Sequence, residues 1–358
     1  MKAARTGLQT VAALALLCIA LHALAAWGIF PQGSLLSGAS YLPPWWLGAL
    51  VLPVALACWM VGAKKTGIGL IVAYGVGVVP HSDFSLSTRA QPATVNAARL
   101  SVVALNVQYY SFGVENVVRA IKQVDADVAL LSENVLDESE AQTVIRELHP
   151  RSFRMGRSGE TAIASKYPMV SFKEVEFPTL QASLSGPNSL EQAQNRPHRS
   201  FSHAVIDVEG TLVNVLSVRL IAGRAPATGP LSQINWGLYL MRSQNTEVAF
   251  FKNYLAHLKG PYVFGGDLNA PPSALAVRSL REVARDAYMA THYLGKPTFR
   301  VRAPLLRIDY VFGSGDLVPL QSRRVDIEVS DHFPLFAEFQ LTRLRAQRPR
   351  ASVEIDAP

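Results

Sequence analysis

The sequence predicts a mixed α/β domain with packed sheets, set behind an acid-free helical segment at its N-terminus. Three observations carry this. Residues 1–80 hold four cations, Lys2, Arg5, Lys64 and Lys65, and none of the chain's 27 acids. Three apolar runs fall in the same stretch. Beyond it, short β-rich segments alternate with amphipathic ones for the rest of the 358 residues. The chain averages of 49% apolar, 17% charged and mean hydropathy +0.17 therefore describe neither part. They exclude disordered, collagen-like and disulfide-scaffold classes. Cys18 and Cys58 both lie in apolar runs, so the charged part uses neither a disulfide nor a cysteine metal site.

Residues 1–80 read as a membrane anchor. Leu8–Phe30 carries no formal charge and would reach about 34 Å as a helix, enough to cross a hydrocarbon core. Residues 45–62 form a second run, with Trp45, Trp46 and Trp59 near its ends like an interfacial belt and Pro53 inside it. Residues 66–80 form a third, glycine-rich run that reaches only about 22 Å. The expectation is about three transmembrane helices, at 8–30, 45–62 and 66–80. The four cations precede the first run or separate the second from the third. The positive-inside rule then places those ends in the cytoplasm and everything after Pro80 outside it. The predicted location is the inner membrane, multi-pass, with a periplasmic domain. The first run also has the pattern of a signal peptide, with Ala23-Leu24-Ala25 as a cleavage site. His22 reads as packed between helices. More than half of the net charge of +7 belongs to these 80 residues, so the basic pI is chiefly a topology signal.

Residues 81–99 are polar and aperiodic and read as a linker. Leu100–Leu105 and Val128–Ser132 are strand-like, and Val117, Val118, Ile121 and Val124 between them fall at helical spacing. Thr161–Ser165 follows, then Ser202–Val208 and Thr211–Val218, joined through Glu209-Gly210 like a hairpin. Arg242–Leu258 reads as a helix. Pro261–Gly265, Ile308–Phe312 and Pro334–Gln340 complete the strands. Residues 100–342 thus form one domain without an internal repeat. Phe177–Ser200 and Ile221–Gln233 are long loops, and 343–358 is a basic tail.

Polar residues stand at five strand ends. Asn106 and Gln108 follow the first strand, and Ser132-Glu133-Asn134 ends the second. Gly265-Gly266-Asp267-Leu268-Asn269 ends a later one. Arg307-Ile308-Asp309-Tyr310 opens another, and Ser330-Asp331-His332-Phe333 precedes the last. One such segment is ordinary turn chemistry. Five in order ask for a common explanation.

These segments, with Gly159–Pro168, resemble the endonuclease/exonuclease/phosphatase superfamily of metal-dependent phosphoesterases, from about Leu100 to Leu341. The apolar runs in front resemble a bacterial membrane-anchored subgroup. The resemblance implies a four-layer α/β/β/α sandwich of two packed sheets. It also implies roles for matching residues. Glu133 would be a metal ligand, supported by Asn106 and Asp331. Hard oxygen donors favour Mg²⁺ or Mn²⁺. Asp267 would align or deprotonate the attacking water, and Asn269 would hold that water or a phosphate oxygen. His332 would face the phosphate, with Asp309 fixing its tautomer. Asn106 and Arg219 are candidate phosphate contacts. Arg219 departs from the pattern, because many members carry histidine there. An arginine binds phosphate through two hydrogen bonds but is no general acid near neutral pH. Gln108 stands where some nucleases of the family have a carboxylate, which makes a second metal site doubtful.

The expected activity is hydrolysis of a phosphate ester by metal-assisted attack of water. Both nucleic acid and a phospholipid headgroup fit as substrate. Trp236, Tyr239 and Arg242 are candidates for a nucleic-acid groove, while anchoring favours a lipid. The bilayer is the other partner, and no protein partner is implied. The alternative is a catalytically weakened binding or sensing module, with Arg219 as the first sign of lost activity. Three short spans without an internal acid argue against a transporter.

Overall fold

The computed structural model describes residues 2–31, 34–84, 97–156, 159–178, 199–222, 229–302 and 305–342. Most of the expected linker (85–96), most of the first long loop (179–198), part of the second (223–228) and the basic tail lie outside the described residues.

Twelve strands form two six-stranded sheets. The first has the order β11 (Leu317–Arg324), β12 (Leu335–Leu341), β1 (Arg99–Asn106), β2 (Val128–Ser132), β4 (Thr161–Ser165) and β3 (Ser152–Met155). The second runs β5 (Met169–Glu176), β6 (Ser200–Val208), β7 (Thr211–Ser217), β8 (Tyr262–Asp267), β10 (Asp309–Gly313) and β9 (Arg285–Asp286). Each sheet is built around one parallel pair with a helical crossover. β1 and β2 are joined by α4 (Val114–Val124), and β7 and β8 by α6 (Pro230–Ala256). The remaining pairs are antiparallel.

Strand alternation sorts the core into layers. Leu100, Val102 and Ala104 of β1 point between the sheets, against Val213 and Val215 of β7 and Val263 of β8. Val103 and Leu105 point outward, onto Val117 and Ile121 of α4 and Val144 and Leu148 of α5 (Glu138–Leu148). The second sheet turns Leu216, Phe264 and Phe312 outward onto Val248 and Phe251 of α6 and Val277 of α7 (Leu275–Arg281). The layers are helix, sheet, sheet, helix, as expected. β2 is buried at all five residues because both of its faces are covered.

This topology gathers the polar strand ends. β1, β2, β7 and β8 finish at one edge of the sandwich, and the antiparallel β10 and β12 start there. Asp309 pairs directly with Asp267 in register. Gly266 (φ +138°) permits the two sheets to meet at this edge. A Cβ there would lie 2.2 Å from the Val218 carbonyl oxygen and 2.9 Å from Ser132 Oγ.

The N-terminal segment forms three helices, α1 (Lys2–Ala26), α2 (Pro44–Met60) and α3 (Lys64–Gly77), with a shared core including Ala12, Ile19, Val51, Cys58 and Leu70. The expectation of three full spans is corrected here. Among the described residues one helix, Thr6–Ala26, is long and apolar enough to cross a membrane. α2 is apolar but has 17 residues, and α3 has 14, because Gly77 ends it and a tight turn over Val79–His81 follows. His22 is packed between helices, with Nδ1 2.9 Å from the Ala39 carbonyl oxygen.

The first residues of the expected linker are docked on the domain. The Asp83 carbonyl accepts from Gly295 N–H at 2.8 Å, and its carboxylate lies 2.7 Å from Arg307 and 3.2 Å from Arg281. Arg307 also holds the buried Asp286 at 2.6 Å. Burial would raise the Asp286 pKa, but Arg307 and Arg281 hold it at about 2. Asp286→Asn leaves two cations short of a buried partner and is expected to destabilise the fold by roughly 3–5 kcal/mol, read by urea denaturation at neutral pH. The stabilisation from Asp286 is present above its unfolded pKa near 3.8 and is lost as pH falls through about 2.

Candidate active site

The shared edge brings together Asn106, Glu133, Arg219, Asp267, Asn269, Asp309, Asp331 and His332. At its floor, Asp267 is buried and both of its oxygens are held. Asn106 Nδ2 donates to Oδ2 at 3.0 Å, and Asn269 N–H donates to Oδ1 at 2.9 Å. Asn106 Oδ1 in turn accepts from Gln108 N–H at 2.9 Å. Asn269 sits at φ +48°, and its side-chain amide donates to the Leu220 carbonyl. Burial raises the Asp267 carboxyl pKa to about 6, against the pull of His332.

His332 and Asp309 form a buried pair, with Nδ1 2.9 Å from Oδ2. Burial alone would lower the imidazole pKa. Asp309 and Asp267 outweigh it and raise the value to about 10. The ring packs against Phe299, with centroids 4.7 Å apart. Asp331 is partly exposed, its side chain 42% accessible, with Oδ1 3.9 Å from His332 Nε2. Its backbone N–H donates to Gln108 Oε1 at 3.0 Å, which ties the β12 entry to the end of β1.

Glu133 and Arg219 face one another. Arg219 Nη2 donates to Glu133 Oε1 at 2.6 Å, Nη1 donates to Glu160 at 3.1 Å, and Nε lies 4.0 Å from Asp267 Oδ2. Glu133 adopts φ +55°, as do Gln108, Tyr109 and Tyr110 within a few degrees, so non-glycine residues in left-handed backbone cluster at this rim. Behind Arg219, Arg199 reaches Glu160 at 2.9 Å and Glu247 at 3.1 Å, and donates to the Arg219 carbonyl at 2.8 Å.

Sequence reasoning missed this second layer. Glu160 lies inside the Gly159–Pro168 stretch, to which the sequence pattern assigns no individual role. Arg199 falls in a segment read as loop, and Glu247 in a helix read as packing. Tyr109, at the exposed rim, was also missed. Trp236 and Tyr239 lie against each other at a tilt in α6, with ring centroids 5.3 Å apart, and Trp236 is buried, so this pair offers no open stacking platform.

Residues 103–332 match the sequence model of the Endonuclease/Exonuclease/phosphatase family. The chain belongs to that family. Its members are phosphodiesterase and nuclease hydrolases that generally depend on divalent metal ions. No curated protein matches the chain in sequence. Solved structures share the fold. A family protein from Bacteroides vulgatus is 14% identical with TM-score 0.51, covering 68% of this chain and 99% of its own. One from Beutenbergia cavernae is 18% identical with TM-score 0.50, covering 68% and 72%. TDP2 from D. rerio, in complex with a single-strand DNA product, is 14% identical with TM-score 0.51, covering 68% and 99%.

The family's metal requirement finds suitable donors here. Ligand atoms of Asp267, Asp309 and His332 all lie within 4.8 Å of one another. Asp309 Oδ1 is buried and has no hydrogen-bond partner among the described residues. An orphaned carboxylate oxygen among hard donors suits a cation or its bound water. Arg219 Nε is likewise buried without a partner, a donor left for an incoming oxygen.

Proposed function

We infer that this family member is a membrane-anchored, Mg²⁺- or Mn²⁺-dependent phosphoesterase of the bacterial anchored type. The observation that carries the chemistry is the meeting of the Asp309–His332 pair with Asp267, across one registered strand pair. Asp267, oriented at both oxygens and raised toward neutrality, aligns and deprotonates the attacking water. Asn269 steadies that water or a phosphate oxygen. His332, kept protonated by Asp309, faces the phosphate and protonates the departing alkoxide. Asn106 and the unpaired Nε of Arg219 are the phosphate contacts. Glu133, with Asn106 and Asp331, would hold the cation, which when bound supplies positive charge against the anionic ester. With the full chain in detergent, bis-p-nitrophenyl phosphate is expected to turn over with Mg²⁺ or Mn²⁺ and to lose at least 99% of that rate in EDTA, about the effect of a lost Lewis acid. Plasmid DNA and phospholipid vesicles in the same assay compare the two substrate classes.

The anchor reading is supported by the helix directions. α1 ends, α2 begins and α3 ends beside the domain: Arg278 lies over the Trp27 ring, Trp45 Nε1 donates to the Leu305 carbonyl, and Asp83 binds Arg307. The four cations lie at the opposite ends of the three helices, and Leu14, Leu17, Leu52, Leu56, Ile71 and Val76 are exposed on the outside of the bundle. One crossing by Thr6–Ala26 of α1, with Lys2 and Arg5 on the cytoplasmic side and the domain on the periplasmic side, fits this arrangement. An alkaline phosphatase fusion after Arg89 is expected to be active; a stable but inactive fusion would place the domain in the cytoplasm.

A specific observation also favours a second reading. Arg219 is bonded to the carboxylate assigned to metal, which suits a binding or sensing module. Folded protein with no metal-dependent turnover on any of the three substrates would select it.

A further inference from the structure

A cavity of about 370 Å³ lies where the helical bundle meets the domain, a size typical of small-molecule sites. Trp45 and Tyr74 wall it from the bundle, Phe84 from the docked linker, and Leu294, Leu305 and Leu306 from the domain. Its charged residues, Asp83 and Arg307, are bonded to each other at 2.7 Å, so the cavity offers chiefly apolar surface to a ligand. The rim is apolar as well. Leu294 is 67% exposed and Leu305 52%, with Tyr293 and Phe84 beside them.

The place of this cavity identifies its occupant. All four anchor cations lie at the other end of the bundle, and Trp27, Trp45 and Trp46 lie at this end. With α1 crossing the bilayer, the mouth falls level with a membrane–water interface, where tryptophan belts sit. A chain leaving the bilayer reaches it without crossing water.

The cavity is also coupled to the active site through one hairpin. Leu306 N–H donates to the Phe299 carbonyl at 3.0 Å, and Phe299 N–H donates to the Leu306 carbonyl at 2.9 Å. Phe299 bridges onward to His332, and the two rings touch. Leu305 and Leu306 thus line the cavity while Phe299 of the same hairpin supports His332.

We propose that this cavity seats an acyl chain of a bilayer glycerophospholipid and that the phosphodiester of that lipid is the substrate. The inference rests on the anchored phosphoesterase reading above and narrows its substrate class. Water adds to phosphorus, one P–O ester bond breaks, and the released alcohol takes the proton. One diester and one water give a phosphomonoester and an alcohol, with no other reactant.

The test uses the full chain in nanodiscs of phosphatidylethanolamine and phosphatidylglycerol, with bis-p-nitrophenyl phosphate as a soluble diester. Leu294→Asp and Leu305→Asp are expected to lower the ratio of lipid to soluble-diester turnover at least tenfold. An unchanged ratio overturns the inference. A second measurement needs no variant: a phospholipid with a diazirine in its acyl chain is expected to label residues 293–306 on the wild-type protein. Labelling confined to α1–α3 overturns the inference while leaving the phosphoesterase reading intact. Turnover of neither substrate removes that reading, and the inference with it.

Discussion

His332→Ala is expected to lower turnover of a phosphodiester by about a thousandfold, near 4 kcal/mol of transition-state stabilisation. The residue combines two properties that a leaving-group acid needs. It sits at the strand edge beside Asp267, and Asp309 fixes its Nδ1 so that Nε2 is the nitrogen left toward the site. Asp309→Asn keeps the shape but removes the charge that raises the imidazole pKa. Its turnover is expected to fall less than that of His332→Ala, and its alkaline limb is expected to move to lower pH. A purely structural role for Asp309 would change the rate without moving the limb. The measurement is kcat against pH for wild type and both variants, with circular dichroism to confirm folding.

Asp267 and His332 set the shape of the wild-type profile. Asp267 must be ionised to take a proton from water, so activity is expected to rise as pH passes about 6. His332 must be protonated to give one, so activity is expected to fall as pH passes about 10. The broad plateau between these limbs reflects opposite environments: burial pushes a carboxyl up, and two neighbouring carboxylates push an imidazole further up.

The residues of the candidate site were more legible in the sequence than the fold around them. Asp267, Asp309 and His332 were legible because each stands at a strand end, where a short polar break interrupts an apolar run. β2 was legible as a short unbroken apolar run, being buried on both faces. The edge strand β5 was not, since lysine and glutamates break its pattern. β11 carries Pro319 and a bulge between Pro319 and Gln321, which hide a strand from any test of alternation. Pro230, Ser232 and Gln233 at the start of α6 are loop-like in composition, so the sequence predicts a loop there, though proline is well tolerated in a first helical turn. Arg307 stands in the same motif as Asp309, yet it is a structural tie between Asp286 and Asp83. Only tertiary contact separates it from Asp309, two residues on.

The Arg219–Glu133 contact was also invisible in sequence, because 86 positions separate its partners. It has a consequence that metal-binding measurements can read. Two unit charges about 4 Å apart attract by roughly 4 kcal/mol at the effective dielectric of a protein site, and this guanidinium sits closer than that to its carboxylate. A divalent ion at Glu133 therefore competes with a resident cation. Arg219→Gln removes the competitor and is expected to tighten Mn²⁺ binding about tenfold or more in isothermal calorimetry, in line with the removal of one like charge from the site. Glu133→Gln is expected to have the opposite effect, weakening binding and lowering turnover by about a thousandfold, as a lost ligand should. Arg219→Lys separates charge from geometry. A lysine keeps the competing charge but loses the fork that also reaches Glu160, so Mn²⁺ affinity is expected to stay near the wild-type value while turnover falls. If Arg219→Gln leaves Mn²⁺ affinity unchanged, the cation does not use Glu133, and the Asp267–Asp309–His332 cluster becomes its place.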